Sequence, residues 1–219
     1  LEQMGIQPES SHHEGGPGQN EIDFRYADPL TAADNAVTFQ AVVRTIAAQN
    51  GLWADFSPRS LTGHPGSGMH INISARDSRD RNLQMPIIAG LLDKIREITL
   101  FLNPIENSYD RLGKDRAPGA IDWSPENRSK LIRIPAAAGQ FRRAELRSPD
   151  PAANPYLAIA LVILASLQGI TEDLTPPPAS DTGACAKKLP GTLAEAKAMA
   201  AKSEFLRQHL PERIMAAYL

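Results

Sequence analysis

Apolar and polar side chains alternate strictly in MHINIS, residues 69–74. Successive side chains of a β-strand point to opposite faces, so His70, Asn72 and Ser74 share one face of a predicted strand. The three apolar residues between them then face the core. An imidazole on the polar face is unlike an ordinary solvated surface of Lys, Thr and Ser, and this face is therefore a candidate site.

Working outward from this strand, similar patterns predict four more strands, at residues 21–26, 52–56, 129–134 and 141–147. The last two are expected to pair across residues 135–139, with Arg143, Glu145 and Arg147 on one face.

Apolar residues at helical spacing predict helices at 31–50, with Thr31 as the N-cap, and at 87–102, 151–170 and 192–219, the last interrupted at Pro211. A charged loop is expected at residues 111–118. Strands and helices do not alternate as regular βαβ units. We therefore expect an α+β fold with a largely antiparallel sheet, one polar active-site face and flanking helices.

The composition is that of one large globular domain, with 219 residues of which 42% are hydrophobic and 22% charged. A formal net charge of −2 provides no bulk attraction for nucleic acid or acidic membranes, so neither is an expected partner. The one cysteine, Cys185, excludes an internal disulfide and suits a reducing, cytoplasmic location. The most apolar stretch, residues 156–167, is too short to span a bilayer.

A second informative segment is SHHEGGPGQNEI, residues 11–22, which combines two imidazoles, two carboxylates and three glycines. The glycines allow the backbone to fold back and bring Glu14 and Glu21 together. Two carboxylates at one point repel each other unless a cation lies between them. The segment therefore predicts a site for a hard divalent metal ion.

The polar faces together supply two kinds of site group. The candidate metal ligands are Glu14, Glu21, His70 and Glu145, and the candidate anion-binding cations are Arg111, Arg128, Arg133, Arg143 and Arg147. Oxygen-rich ligation with one imidazole favours Mg²⁺ or Mn²⁺ over zinc. Guanidinium groups beside such a metal bind phosphate or carboxylate groups well. A nucleotide together with an acid substrate is therefore the simplest pair of ligands for this site.

Each of these residues has a purely structural alternative. His12 and His13 fit surface positions, and His70 fits an internal hydrogen bond. Glu145 between two arginines fits a structural ion network. The glycines near residue 66 fit tight turns, since neither GxGxxG nor P-loop spacing is present.

The motifs resemble those of the glutamine synthetases. The similar segments are HHEGGPGQNEI at 12–22, GSGMHINIS at 66–74, NSYDRL at 107–112, NRSKLIRIP at 127–135 and RRAELRSPDPAANPYLA at 142–158. They follow the order found in that family. The resemblance implies ATP-dependent ligation of ammonia to L-glutamate through a γ-glutamyl phosphate, with ATP and two or more Mg²⁺ or Mn²⁺ ions in each site.

The resemblance also implies a role for each candidate residue. Glu14 and Glu21 would bind the metal that organises glutamate and ammonium, and His70 and Glu145 the metal nearer the transferred phosphate. Arg111 and Arg147 would bind the glutamate carboxylate or the developing phosphate charge, with Gly66 at the glutamate pocket. The residues implied to face ATP are His12, Ser74, Arg128, Arg133 and Arg143, and those implied to act in catalysis are Arg111, Arg128 and Arg147.

Three positions depart from the family pattern. The loop after Arg111 commonly carries a Glu just before Ala-Pro, where this chain has Arg116, with Asp115 one residue earlier. Asn72 replaces a second His found in many members, and Pro65 replaces an Asn. A γ-glutamyl-amine ligase of the polyamine type is therefore an alternative in the same fold. A non-catalytic structural relative is a third interpretation. Such a relative is expected to have lost metal ligands, whereas all four candidate ligand residues are present here.

Family members have an N-terminal β-grasp domain and earlier catalytic strands that residues 1–219 do not contain. The resemblance therefore implies that residues 1–219 are the C-terminal part of a catalytic domain. It also implies a homo-oligomeric ring whose sites form between subunits. We expect the isolated chain to have negligible synthetase turnover.

Overall fold

The computed structural model describes residues 1–136, 142–180 and 187–219, which form an α+β fold. The strands are β1 (Pro8–His13), β2 (Asn20–Phe24), β3 (Ile71–Ile73), β4 (Trp123–Pro125), β5 (Ile132–Ile134) and β6 (Ala144–Leu146). The helices are α1 (Pro29–Gln49), α2 (Gln84–Leu102), α3 (Glu106–Arg111), α4 (Pro155–Thr171), α5 (Leu193–Lys202), α6 (Glu204–His209) and α7 (Glu212–Tyr218).

The strands form two sheets. β1 and β2 make an antiparallel ribbon in which His12 lies opposite Glu21. The other four strands are ordered β3-β6-β5-β4, antiparallel except for the β4–β5 pair. In this sheet Glu145 lies opposite Asn72 on one side and Arg133 on the other, so polar side chains from three strands meet on one face.

The core lies between the second sheet and the C-terminal helices. α2 packs against α4, α5 and α6 and contributes fully buried residues such as Ile87, Leu91 and Ile95. α2 and α4 approach each other closely because Gly90 faces Gly169 where they cross. Within the described ranges, no helix is long and apolar enough to cross a membrane.

The predicted α+β class, the mainly antiparallel sheet and the four helical regions are confirmed. The strand predicted at 52–56 is wrong, because no described strand lies beside it to complete a ladder of hydrogen bonds. The predicted N-cap of α1 is also wrong. Asp28 caps the helix by accepting the backbone N–H of Thr31 at 3.1 Å, and Pro29 occupies the first turn.

Three elements were not predicted from the sequence, namely β1, β4 and α3. β1 has only polar residues after Pro8 and no apolar alternation, and β4 and α3 have three and six residues without a clear apolar period. One consequence concerns Arg111, which is the last residue of α3 and buried rather than part of an exposed loop. Cys185 and most of the predicted 135–139 connection lie outside the described residues.

Candidate metal and phosphate site

The β1–β2 ribbon brings three metal-ligand types together. One ligand atom from each of His12, Glu14 and Glu21 lies within 4.8 Å of the others. His12 Nε2 is 3.1 Å from Glu14 Oε1. Glu21 reaches the same point because it pairs with His12 across the ribbon. The predicted convergence of Glu14 and Glu21 is therefore confirmed, and His12 joins them.

The pKa values of the two carboxyl groups move in opposite directions. Burial raises the pKa of Glu21, and the charges of Asp23 and Glu14 raise it further. Burial also raises the pKa of Glu14, but the His12 hydrogen bond and others outweigh it, so the net shift is downward. Two carboxylates that repel each other beside an imidazole form a donor set that a hard divalent cation fits.

The second cluster centres on Glu145 of β6, which is 5% exposed. Its Oε2 accepts from Arg133 Nε at 2.6 Å and from Arg147 Nη1 at 3.2 Å. Its Oε1 faces His70 Nδ1 at 3.4 Å. These four residues come from β5, from β6 and its end, and from the start of β3, so the sheet register assembles the cluster.

The charges around Glu145 keep the carboxylate at the centre of the second cluster ionised. Burial alone would raise the pKa of Glu145, but His70, Arg147 and Arg133 bring it down to about 2. Burial lowers the pKa of His70, and Arg147 and Arg111 oppose the protonated form as well, although Glu145 favours it. A neutral imidazole beside an ionised carboxylate provides two lone-pair donors of the kind that bind metal ions.

Arg111 lies beside this cluster but is held by the backbone. Its guanidinium donates to the carbonyl oxygens of Ser148 at 2.8 Å and Arg147 at 3.0 Å. Gly66 and Gly68 allow this placement. A Cβ on Gly66 would lie 2.9 Å from Arg111 Cγ, and one on Gly68 would lie 2.7 Å from Arg111 Nη2.

Two observations connect the two clusters. The Gln19 side chain in the ribbon's loop donates to the Gly66 carbonyl at 3.0 Å and so connects the ribbon to the segment that contains Gly66 and Gly68. Burial lowers the pKa of Arg147, while the charge of Glu145 and, at longer range, that of Glu21 oppose the shift. Glu21 therefore lies near enough to Arg147 for the charges of the two clusters to interact.

The remaining predicted residues lie around this centre. Arg143 Nε donates to Asn72 Oδ1 at 2.9 Å, across from β6 to β3. Ser74 directly follows β3 and is exposed, as is Arg128 in the turn between β4 and β5. Thus His12, Glu14 and Glu21 form one group, His70, Arg133, Glu145 and Arg147 a second, and Ser74, Arg128 and Arg143 lie outside both.

One arginine near the site was not predicted. Arg59 contacts both ends of the 107–115 region, with its backbone N–H donating to Asn107 Oδ1 at 2.8 Å and its Nη2 lying 3.3 Å from Asp115 Oδ2. These contacts hold α3 and the loop after it against the chain at Arg59. No periodicity or motif spacing marks Arg59, because its partners are distant in sequence.

Comparison with known families identifies the chain. The model of the glutamine synthetase catalytic domain matches residues 1–219. The chain belongs to the glutamine synthetase family. The two glutamine synthetase motifs at 12–22 and 66–74 thus coincide with the ribbon and with β3, which His70 directly precedes.

Three glutamine synthetases illustrate the similarity. The enzyme of Methanosarcina mazei is 43% identical over 243 residues, which include 100% of this chain and 54% of the relative. That of Thermus thermophilus is 42% identical over 240 residues, covering 99% and 54%. That of Clostridium saccharobutylicum is 47% identical over 190 residues, covering 81% and 43%. The chain spans about half the length of these relatives.

Solved structures of GmaS share the fold. The ligand-free form superposes with a TM-score of 0.88 at 31% identity, covering 99% of this chain and 54% of GmaS. A GmaS/ADP complex gives a TM-score of 0.87 at 30% identity, covering 99% and 55%. The glutamine synthetase-like α+β architecture is therefore shown by structure as well as by sequence.

Proposed function

We propose that the full-length protein ligates ammonia to L-glutamate at the expense of ATP, through a γ-glutamyl phosphate. The observation that supports this most is that a chain of the glutamine synthetase family contains both the His12/Glu14/Glu21 cluster and the His70/Glu145 cluster. Residues 1–219 would be the C-terminal part of the catalytic domain. We also propose that the full-length protein is a cytoplasmic, ring-shaped homo-oligomer.

The metal ions are proposed to be Mg²⁺ or Mn²⁺, two or more per site. Glu14 and Glu21 would hold one, and His70 and Glu145 would contribute to another. The donor set fits, since it consists of carboxylate oxygens and one neutral imidazole. Bound there, the ions would neutralise phosphate charge and polarise the oxygens around the transferred group.

The arginines would supply fixed positive charge for the two anionic substrates. Arg133 and Arg147 already converge on Glu145, Arg143 is bonded to Asn72 of the neighbouring strand, and Arg128 is exposed. With His12 and Ser74, Arg128, Arg133 and Arg143 would bind ATP, and the ADP complex of GmaS supports a nucleotide site in this fold. Arg111 and Arg147, beside Gly66, would hold glutamate.

Two chemical steps follow from these roles. The γ-carboxylate of glutamate is a poor electrophile, so it first attacks the γ-phosphate of ATP, which forms γ-glutamyl phosphate and releases ADP, while Arg128 and Arg147 stabilise the charge that develops. Ammonia then displaces phosphate from the acyl phosphate. The anionic pocket around Glu14 and Glu21 would attract ammonium, and a carboxylate there would accept the proton that ammonium must lose before it attacks.

A second candidate is a γ-glutamyl-amine ligase. One observation favours it, the charge of the loop after α3. In that loop Asp115 is paired with Arg59 and the next residue is Arg116, so the carboxylate there is already neutralised. A pocket with less negative charge attracts ammonium less strongly.

Product formation by the full-length protein distinguishes these two candidates. With ATP, Mg²⁺ and glutamate, we expect glutamine from ammonium at a kcat/KM at least about tenfold above that for methylamine or a polyamine. Product should be measured by mass spectrometry, and release of phosphate should require both glutamate and the amine. Product from an amine but not from ammonium would support the second candidate, and phosphate release without either product would contradict both.

Metal binding by the 219-residue chain tests the ribbon cluster. We expect Glu21→Gln to weaken Mn²⁺ binding at least about tenfold, because one of two converging carboxylates is lost. Glu9→Gln is the matched control, since Glu9 is exposed on β1 of the same ribbon and outside the cluster. Isothermal titration calorimetry with Mn²⁺ alone measures both. Equal affinities in the two variants would remove Glu21 from the proposed ligands.

A further inference from the structure

The segment after β6, residues 147–150, presents consecutive carbonyl groups to the site. The carbonyl oxygens of Arg147 and Ser148 accept from the Arg111 guanidinium at 3.0 and 2.8 Å. The next carbonyl accepts the backbone N–H of Met69 at 2.9 Å. One segment therefore holds both Arg111 and the backbone next to His70.

Behind this segment lie two fully buried polar side chains, Asn103 and Asp150. The Asn103 amide donates to the Ser148 carbonyl at 2.9 Å and to Asp150 Oδ2 at 2.7 Å. Asp150 Oδ1 accepts the backbone N–H of Ala152 at 3.0 Å. The hydroxyl of Tyr109, in α3, donates to the Asn103 carbonyl at 2.9 Å. This network links α3, the end of α2 and the 147–150 segment.

The carboxylate of Asp150 in this network interacts electrostatically with the Arg111 guanidinium. Burial lowers the pKa of Arg111 to about 10, and the nearby carboxylate of Asp150 opposes that shift. Burial raises the pKa of Asp150, while hydrogen bonds from Asn103 and Ser108 and the charge of Arg111 lower it. A buried guanidinium bonded to neutral carbonyls needs a compensating anion, and Asp150 supplies one.

We infer that Asn103 and Asp150 are positioning residues for substrate binding, holding the 147–150 segment so that Arg111 and the backbone next to His70 keep one fixed relative placement. Neither side chain touches the reacting atoms. The inference rests on the proposed function, in which Arg111 binds the glutamate carboxylate. It assigns a purpose to a buried carboxylate that the metal and phosphate groups do not use.

Asp150→Asn in the full-length protein tests this inference. The substitution keeps the shape and a hydrogen-bond acceptor for Asn103 but removes the charge near Arg111. We expect the KM for glutamate to rise about tenfold or more while the KM for ATP stays within about twofold. A glutamate KM that does not change would overturn the inference.

Asp122→Asn is the matched control. Asp122 is similarly buried, and its Oδ2 accepts from Lys130 Nζ at 2.8 Å. We expect this variant to unfold at a lower temperature than wild type with its glutamate KM within about twofold of the wild-type value. An equal rise in glutamate KM in both variants would mean general loosening and would contradict a positioning role.

A measurement that does not need turnover separates this inference from the proposed function. Phenylglyoxal modifies guanidinium groups, and peptide mass spectrometry reports the extent at each arginine. We expect Asp150→Asn to raise modification of buried Arg111 at least about threefold, with exposed Arg79 unchanged and Arg111 still protected in Asp122→Asn. If wild type makes no amide, the proposed function fails, and unchanged protection of Arg111 in Asp150→Asn would still overturn the positioning role.

Discussion

Glu145→Gln is expected to lower the turnover of the full-length protein by at least about 100-fold. Glu145 is the point at which Arg133, Arg147 and His70 meet, and its pKa of about 2 keeps it ionised at every pH used for assay. A neutral amide would leave two guanidinium groups without their counter-charge and would weaken metal binding beside His70. Steady-state kinetics at saturating Mg²⁺ measure the effect.

A suitable control for Glu145→Gln is Glu97→Gln in α2. The Glu97 carboxylate is partly buried and accepts a hydrogen bond from Ser203, far from the site in sequence. We expect that variant to keep kcat within about twofold of wild type. If Glu145→Gln lowers the unfolding temperature but leaves kcat unchanged, Glu145 has only a structural role in an ion network.

Gly90→Ala is expected to destabilise the 219-residue chain by at least about 3 kcal/mol, the upper end of the usual cost of overpacking. A Cβ at Gly90 would lie 2.1 Å from the carbonyl oxygen of Ala165 and 2.9 Å from Cα of Gly169. The atoms that this Cβ would meet are backbone atoms of α4, so no side chain can move aside. The two helices must separate, which loosens the core around Ile87 and Leu91. Urea unfolding followed by circular dichroism measures the loss.

Gly191→Ala provides the comparison. A Cβ there would meet its nearest heavy atom, Glu195 Oε2, at 3.6 Å, which is an ordinary contact. We expect a change in the free energy of unfolding of less than about 0.5 kcal/mol. Similar unfolding midpoints for Gly90→Ala and Gly191→Ala would contradict the close approach of α2 and α4.

Local patterns predicted the long helices and the strands with polar faces. The apolar spacing of residues 87–102 and the alternation of 69–74 depend only on neighbouring residues, and both elements form. The 52–56 segment has a similarly apolar composition but forms no strand. A strand needs hydrogen bonds from another strand, and composition alone does not supply that partner.

The same distinction between local and long-range information applies to the residues of the candidate site. The short spacing of Glu14 and Glu21 across a glycine-rich turn was enough to predict their convergence. Arg111 was predicted to begin a charged loop, and the family resemblance implied that it binds substrate; in the structure it ends α3, is buried and is bonded to two carbonyl groups. That placement depends on residues 147–150, which are 36 or more positions away in sequence.

The sequence by itself determined the residue types of the site, the family motifs and the α+β class, because these follow from chemistry and periodicity within short windows. Only the tertiary structure decided which side chains meet. Register places Glu145 between Asn72 and Arg133, and Asn103 reaches Ser148 and Asp150 across 45 or more residues. Such contacts depend on how strands pair and helices pack, since a strand register or a buried hydrogen bond joins residues that share no local pattern.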